Sequence, residues 1–308
     1  MEIAALSWCF LLLLLYIPIS SIGLGLSVFY AFPTFVSDQS ILKKYLNPVF
    51  ATSDLGFIFF AGSMFLFFPN LMYIAFTYLP IPLILGFLML VFRAGFLYHI
   101  RSQKDENIFN KYIIVGTSFL APLLLSTAYS FAITGNYSTH FTNSVSILIY
   151  ALVIISLLLT ASTFLQWIDP KSPDRMNTFI HEVSLFFVLF LLTIPPLFLK
   201  FAPYMLSNLA IDILALIFIG GSTSALFYYQ KMKRYNFTFI ASLTCIFSIL
   251  LSLFLMHIPY LIYPSVSTDD LFTLSFLPMI GGVMFVILGL LVLYHLLNLG
   301  KKSHSAIY

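Results

Sequence analysis

The sequence predicts an all-α integral membrane protein with nine transmembrane helices, and two observations predict it. Hydrophobic residues make up 61% of the 308 residues and charged residues only 8%, which leaves too few polar side chains to cover a globular surface in water. The apolar residues form continuous runs of about 20, the length that a helix needs to cross a ~30 Å hydrocarbon core. Because the runs do not alternate with polar residues, they do not fit barrel strands, and only helices then satisfy the backbone in lipid.

Nine apolar runs reach this length. They cover about 4–30, 55–78, 80–100, 112–134, 143–167, 179–200, 207–229, 236–262 and 271–298. Most connections are short, so consecutive helices lie antiparallel, and we expect two antiparallel four-helix bundles plus a final helix. The longest connection, about 31–54, is expected to be cytoplasmic. We expect one membrane domain over 1–308, with spans one to five in 1–166, a polar cytoplasmic connection at 167–178, and spans six to nine in 179–308.

The lysines and arginines predict the orientation. Twelve of the 14 fall in every second gap between the runs, at Lys43, Lys44, Arg101, Lys104, Lys111, Lys171, Arg175, Lys231, Lys233, Arg234, Lys301 and Lys302. Cation-rich connections stay in the cytoplasm, so the N-terminus is predicted outside and the C-terminus inside. The net charge of +3 fits loops near anionic lipid and gives no reason to expect a nucleic-acid partner.

Ionisable residues within a span are the first candidates for function, because charge in a membrane is costly. Asp54 begins predicted span two and has two interpretations. It caps the helix N-terminus, or it accepts protons at the cytoplasmic mouth of a polar path. Arg93, near the end of span three, also has two interpretations. Its side chain extends to the lipid head groups, or it pairs with Asp54 on the neighbouring helix.

Three other ionisable residues are candidates for an ion pair or for a structural charge. Asp212 either pairs with Lys200 at the helix ends or lines the bundle interior, and Glu182 and His99 lie at span edges. Haem ligation would require histidines that point inward from facing helices at matching depth. His257 lies near the outer end of its span, and His99 and His295 could meet at the inner face, but both lie at helix ends, where histidine is ordinary. No Cys/His spacing indicates zinc or an iron–sulfur cluster. We therefore expect no catalytic residue, no metal ligand and no cofactor site in this chain.

The block 46–101 resembles a known family. The matching residues, in order, are Ala61-Gly62-Ser63, Phe65, Phe68-Pro69, Tyr73, Ala75, Arg93 and Arg101, followed by Gly116 to Pro122, Gly135, Ile258 to Ser265, and Gly300-Lys301. Their order and spacing resemble subunit II of cytochrome bd-type quinol oxidases over essentially the whole chain. There are two departures. Residues 22–27 read IGLGLS where the family has two acids, and 54–59 retains only Asp54 of the family's polar turn.

The resemblance implies a haem-free subunit of a terminal oxidase that oxidises quinol and reduces oxygen to water. It implies a larger partner, subunit I, which carries haems b and d, and small single-span accessory subunits. The location would be a bacterial or archaeal cytoplasmic membrane, with lipid around the complex.

The resemblance also bears on protons, because the family's subunit II acids are implicated in conducting them from the cytoplasm. With the first-span acids missing, such a path would use Asp54, with Ser20 and Ser21 as further candidates. Two alternatives remain. The chain is a purely structural scaffold of that oxidase, or it is a stand-alone transporter or channel. The second alternative predicts broken helices or a buried polar cluster, and the sequence shows neither clearly.

Overall fold

The computed structural model describes residues 2–36, 39–102, 108–134, 144–170, 174–201, 209–257, 260–262 and 266–267, with 283 and 287 as single residues. The described residues form nine α-helices, which are α1 (Glu2–Ala31), α2 (Gln39–Phe67), α3 (Pro69–Tyr78), α4 (Pro80–Ser102), α5 (Ile108–Thr134), α6 (Ser144–Ile168), α7 (Asp174–Phe201), α8 (Leu209–Lys231) and α9 (Tyr235–His257). A 3₁₀ turn, Pro33–Phe35, follows α1. Two short strands, β1 (Tyr260–Ile262) and β2 (Val266–Ser267), pair antiparallel after α9.

Six of these helices are long and apolar enough to cross a membrane. Within the described residues they are α1, α4, α5, α6, α7 and α9, and the bent pair of α2 and α3 is a seventh candidate. The chain is therefore a helical, multi-pass membrane protein. Most of the ninth predicted span, 271–298, lies outside the described residues.

The predicted long connection at 31–54 is wrong, because α2 already begins at Gln39. Polar residues between Gln39 and Asp54 lower the hydropathy of this stretch, so a prediction from hydropathy does not include it in a helix. Hydropathy measures how well a segment suits lipid, whereas a helix can continue beyond the hydrocarbon core into the polar interface. Asp54 consequently lies inside a helix, 15 residues after Gln39.

Predicted span two is broken near its end. Helix α3 lies at 107° to the preceding part of α2. Pro69 begins α3, where its missing N–H is not needed, and Phe68 leaves the helical conformation with φ −131° and ψ 60°. Phe67 and Phe68 are fully buried against Ala5 of α1, so side-chain packing holds the corner. The structure thus contains a broken helix that the sequence did not clearly show.

Two other boundaries differ from the prediction. The polar connection expected at 167–178 is shorter, because α6 continues to Ile168 and α7 begins at Asp174. Trp167, expected in that connection, is buried and stacks on Phe239 of α9, with ring centroids 5.3 Å apart and an 11° interplanar angle. Helix α9 ends at His257, five residues before the predicted end of span eight.

Helices α1 and α6 lie at the centre of the described structure. Helix α1 contacts α2, α5, α6 and α9, and α6 contacts α1, α5, α7 and α9. Gly25 makes the crossing of α1 and α6 possible. A Cβ atom at Gly25 would lie 2.3 Å from the Cβ of Ala161 and 2.7 Å from the carbonyl oxygen of Leu157. Small residues allow such close backbone approach in membrane helices.

The peripheral helices expose apolar faces. On α4, α7 and α8 large exposed side chains recur at helical spacing, and they are Ile81, Ile84, Leu88, Val91, Phe92, Leu185, Phe186, Leu189, Leu192, Leu216, Ile217 and Phe218. An aqueous protein cannot present so much contiguous apolar area. These faces suit contact with lipid or with another membrane subunit.

Candidate functional site

A buried ion pair joins α2 and α4. The Nη2 atom of Arg93 donates a hydrogen bond to Oδ1 of Asp54 at 2.8 Å. The Arg93 side chain is 1% exposed and that of Asp54 is 37% exposed. Burying a guanidinium is costly unless a counter-charge accompanies it, and Asp54 supplies that charge. The structure therefore brings two of the sequence-predicted residues together. Arg93 points into the bundle, and Asp54 is not a helix cap, because it lies in the interior of α2.

Phe50 supports the cation of Arg93. The guanidinium carbon lies 4.7 Å from the centre of the Phe50 ring, within range of a favourable cation–π contact. Phe50 and Asp54 are one turn apart on α2, so both face the same neighbour. The ring also packs against α1, where a Cβ atom at Gly23 would lie 3.2 Å from Phe50 Cδ1. The four-residue spacing of Phe50 and Asp54 could have predicted that both side chains face Arg93. That prediction required knowing that α2 begins before residue 50.

Two donor atoms of Arg93 have no hydrogen-bond partner among the described residues. In the described part of the chain, neither Nε nor Nη1 of Arg93 makes a hydrogen bond, and both atoms are buried. A guanidinium carries five N–H donors, so the single bond to Asp54 satisfies only a fraction of them. Buried donors in proteins are usually paired with protein atoms or ordered water.

Hydroxyl groups of α1 lie beside the ion pair. Ser20 and Ser21 are buried, and the Tyr16 hydroxyl is close enough to Ser20 for a side-chain hydrogen bond. Tyr16 also lies within electrostatic range of both Arg93 and Asp54. Tyr16 was not predicted as a site residue. Its position one turn from Ser20 was the only sequence signal.

The register of α1 against α2 accounts for this arrangement. The rings of Tyr16 and Phe57 are 5.5 Å apart, and Gly23 lies against Phe50. Seven residues separate the contacts on each of the two antiparallel helices. Ser20 therefore lies level with the turn of α2 that contains Asp54.

Three further residues were predicted as paired or structural charges. Glu182 is exposed on α7 in a shallow groove with Asp174 and Arg175, and no ion pair to it is present in the described ranges. The structure therefore does not bring Glu182 to the ion pair. Asp212 lies in α8 and His99 in α4, but the side chains of both are outside the described part.

Most buried hydroxyls elsewhere bond to their own helix. Thr163 donates to the Leu159 carbonyl at 2.8 Å, and Ser184 donates to the Ile180 carbonyl at 2.7 Å. Thr163 also meets Ser242 across α6 and α9, with the two hydroxyl oxygens 2.9 Å apart. Such bonds satisfy a hydroxyl in an apolar environment and leave nothing for a ligand. At the site around Asp54 and Arg93, by contrast, Nε and Nη1 of Arg93 remain without a partner among the described residues, as does the buried hydroxyl of Ser118 on α5.

The side chains at this site do not fit a metal or a haem. Among the described residues, no group of three or more His, Cys, Asp or Glu side chains lies close enough together to hold a metal ion. The carboxylate of Asp54 is already neutralised by Arg93. What the arrangement offers is one carboxylate, one fixed cation and several hydroxyls, which are groups that hold water and exchange protons.

Comparison with known proteins places the chain in a family. The family model for cytochrome bd terminal oxidase subunit II matches residues 1–298. The fold is similar to a chain of the bd oxidase from Geobacillus thermodenitrificans, with a TM-score of 0.85, 22% sequence identity and 98% of each chain covered. No curated protein matches the sequence. The predicted resemblance is confirmed, and the chain belongs to the cytochrome bd terminal oxidase subunit II family.

Proposed function

We propose that this chain is the haem-free second subunit of a quinol-oxidising, oxygen-reducing bd oxidase and that Asp54 lies on a proton path from the cytoplasm. A larger subunit I would hold haems b and d. The chain would support assembly of that subunit in a bacterial or archaeal cytoplasmic membrane, with lipid and small single-span subunits at its periphery. The proposal rests on one observation above all. Asp54 is exposed on an otherwise apolar face of α2.

The surroundings of Asp54 indicate what covers it. In the isolated chain its side chain is 37% exposed, and its neighbours Leu55 and Ile58 are 43% and 62% exposed. A carboxylate on such a face is strongly disfavoured in contact with lipid tails. We infer that the larger subunit packs over this face of α2 and provides polar groups or water opposite Asp54.

The position of Asp54 along α2 bears on the form of the path. Asp54 lies about 22 Å along α2 from Gln39, at 1.5 Å rise per residue, but the apolar part of the bent span begins only at Thr52. With the N-terminus outside, α2 runs outwards from the cytoplasm, and Asp54 would lie near the cytoplasmic end of that span. Asp54 would then receive protons from the cytoplasmic side and release them across the interface with subunit I.

The test is oxygen uptake by the complete oxidase carrying Asp54→Asn. The asparagine retains an oxygen that can accept from Arg93, so we expect the complex to assemble with its haem absorption unchanged. It cannot gain and release protons, so quinol-driven turnover should fall by about a hundredfold, the lower end of the range for loss of a proton-transfer group. Asp174→Asn, at an exposed residue in the first turn of α7, is the control. Unchanged uptake in Asp54→Asn would refute the proton path.

A purely structural role is the second candidate. The two acids missing from residues 22–27 favour it, and it predicts that Asp54→Asn affects stability but not turnover. A stand-alone transporter now has only the bend between α2 and α3 in its favour. It predicts transport by this chain alone in liposomes.

A further inference from the structure

The unpaired donors of Arg93 need acceptors that the described residues do not supply directly. Its Nε and Nη1 atoms are buried and have no hydrogen-bond partner among the described residues. Phe50 covers one face of the guanidinium, with its ring centre 4.7 Å from the guanidinium carbon. The free N–H groups lie in the plane of the guanidinium, so acceptors must approach them along that plane and not through the Phe50 ring.

Charge balance selects the kind of acceptor. The positive charge of Arg93 is matched by the negative charge of Asp54 at 2.8 Å. A further anion would leave a net negative charge in a region of low dielectric constant, which is costly. The remaining donors therefore call for neutral acceptors, and water is the neutral acceptor that commonly satisfies buried polar groups.

Tyr16 is a neutral polar group of α1 beside this site. Its half-buried side chain is fixed against Phe57 at a ring separation of 5.5 Å. Its hydroxyl is near Ser20 and within electrostatic range of Arg93 and Asp54. A phenol hydroxyl both donates and accepts, so it can receive a bond from Ser20 and donate one to water held by Arg93.

We propose that Tyr16 is the third member of the site and that water held by Nε and Nη1 of Arg93 links Asp54 to the Tyr16 hydroxyl. This inference rests on the proposed proton path. The Tyr16 oxygen accepts a proton from the direction of Ser20 and its hydroxyl gives its own proton to the water, the water gives another of its protons to Asp54, and Asp54 releases that proton towards subunit I. Each group gains one proton and loses one, and Arg93 remains charged throughout. Tyr16 thereby extends the path along α1, where the family's first-span acids are missing.

The test compares Tyr16→Phe with Tyr98→Phe in the complete oxidase. Phenylalanine keeps the ring contact with Phe57 and removes only the hydroxyl. We expect Tyr16→Phe to lower turnover about five- to tenfold, as loss of one hydrogen bond in a proton-transfer step would. We also expect the rate ratio between H2O and D2O to change, which a merely structural effect would not produce. Tyr98 is exposed on α4, and its variant should match the parent in both measurements.

Each outcome decides between the two proposals. If Asp54→Asn abolishes turnover while Tyr16→Phe matches the parent complex, the role of Tyr16 is refuted and the path stands. If Asp54→Asn has no effect, the path itself is refuted. If the Tyr16→Phe complex fails to assemble, an experimental density map of the parent complex decides whether water links Arg93 to Tyr16. Ordered water in contact with Arg93 Nε or Nη1 and with Tyr16 supports the proposal, and apolar side chains filling that space overturn it.

Discussion

Arg93 is a cation held inside a membrane protein by one carboxylate and one aromatic ring. Its side chain is 1% exposed, and Asp54 and Phe50 contact it from successive turns of α2. The pair lowers the cost of burial for both charges, but a buried pair is rarely better than a well-packed apolar pair. Its retention in this chain is therefore better explained by a function than by stability.

Removing only the cation should destabilise the complex. Arg93→Met leaves the Asp54 carboxylate without its counter-charge, at a cost of about 2–3 kcal/mol. This is below the usual 3–5 kcal/mol for a broken buried pair, because Asp54 is partly exposed. Adding Asp54→Leu should recover part of the loss, since no charge is then left unpaired. Thermal denaturation of the three complexes measures both effects. A double variant no more stable than Arg93→Met would show that the two residues are not coupled.

How far the sequence could predict this site depends on individual residues. The pairing of Asp54 with Arg93 was one of two alternatives considered for Arg93, because the two residues lie on neighbouring spans. The role of Phe50 could not be predicted while 31–54 was taken for a loop, and Tyr16 required the register between α1 and α2. Sequence periodicity gives the face of a helix but not its depth relative to a neighbour.

At the scale of elements, the crossing of α1 and α6 depends on Gly25. Gly25→Ala would place a methyl group 2.3 Å from the Cβ of Ala161, so the helices must move apart, at a cost of about 1–3 kcal/mol. We expect lower yield and a lower denaturation midpoint of the assembled complex. Gly116→Ala is the control, because a Cβ atom there meets nothing within 4 Å. Equal behaviour of the two variants would contradict the close crossing.

The corner between α2 and α3 gives a second prediction for an element. Phe68 is fully buried at the bend, against α1, so Phe68→Ala should cost about 3–5 kcal/mol. Pro69→Ala should cost less than about 1 kcal/mol, because proline at a helix start mainly favours the existing conformation. Thermal denaturation of both variants measures the difference. If Pro69→Ala is the more harmful, the proline rather than the packing of Phe68 holds the bend.

Element boundaries show why hydropathy predicted the helices better than their ends. It located α1, α4, α5, α6 and α7 within a few residues, because long apolar runs must be helical in lipid. It missed the first half of α2, which carries polar residues, and the corner at Pro69, where the apolar run continues unbroken while the direction changes. The bend depends on a tertiary contact with α1 that no local pattern contains.

At the scale of the whole molecule, topology is retained better than polar chemistry. The chain shares its fold with a bd oxidase chain at a TM-score of 0.85 and only 22% identity, whereas residues 22–27 contain no acid. Helix packing depends on size and apolarity, which many sequences satisfy. A proton path depends on particular groups, and here we expect those groups to be Asp54, Arg93 and Tyr16.

The most direct test of the account is to purify this chain gently from its native membrane, with an affinity tag, and to record what accompanies it. Membership of the bd oxidase family, together with the apolar faces of α4, α7 and α8, predicts a larger membrane subunit in equal amount. It also predicts absorption of haems b and d, and oxygen uptake driven by quinol. A colourless preparation containing this chain alone, from membranes in which it is abundant, would contradict the assignment as an oxidase subunit.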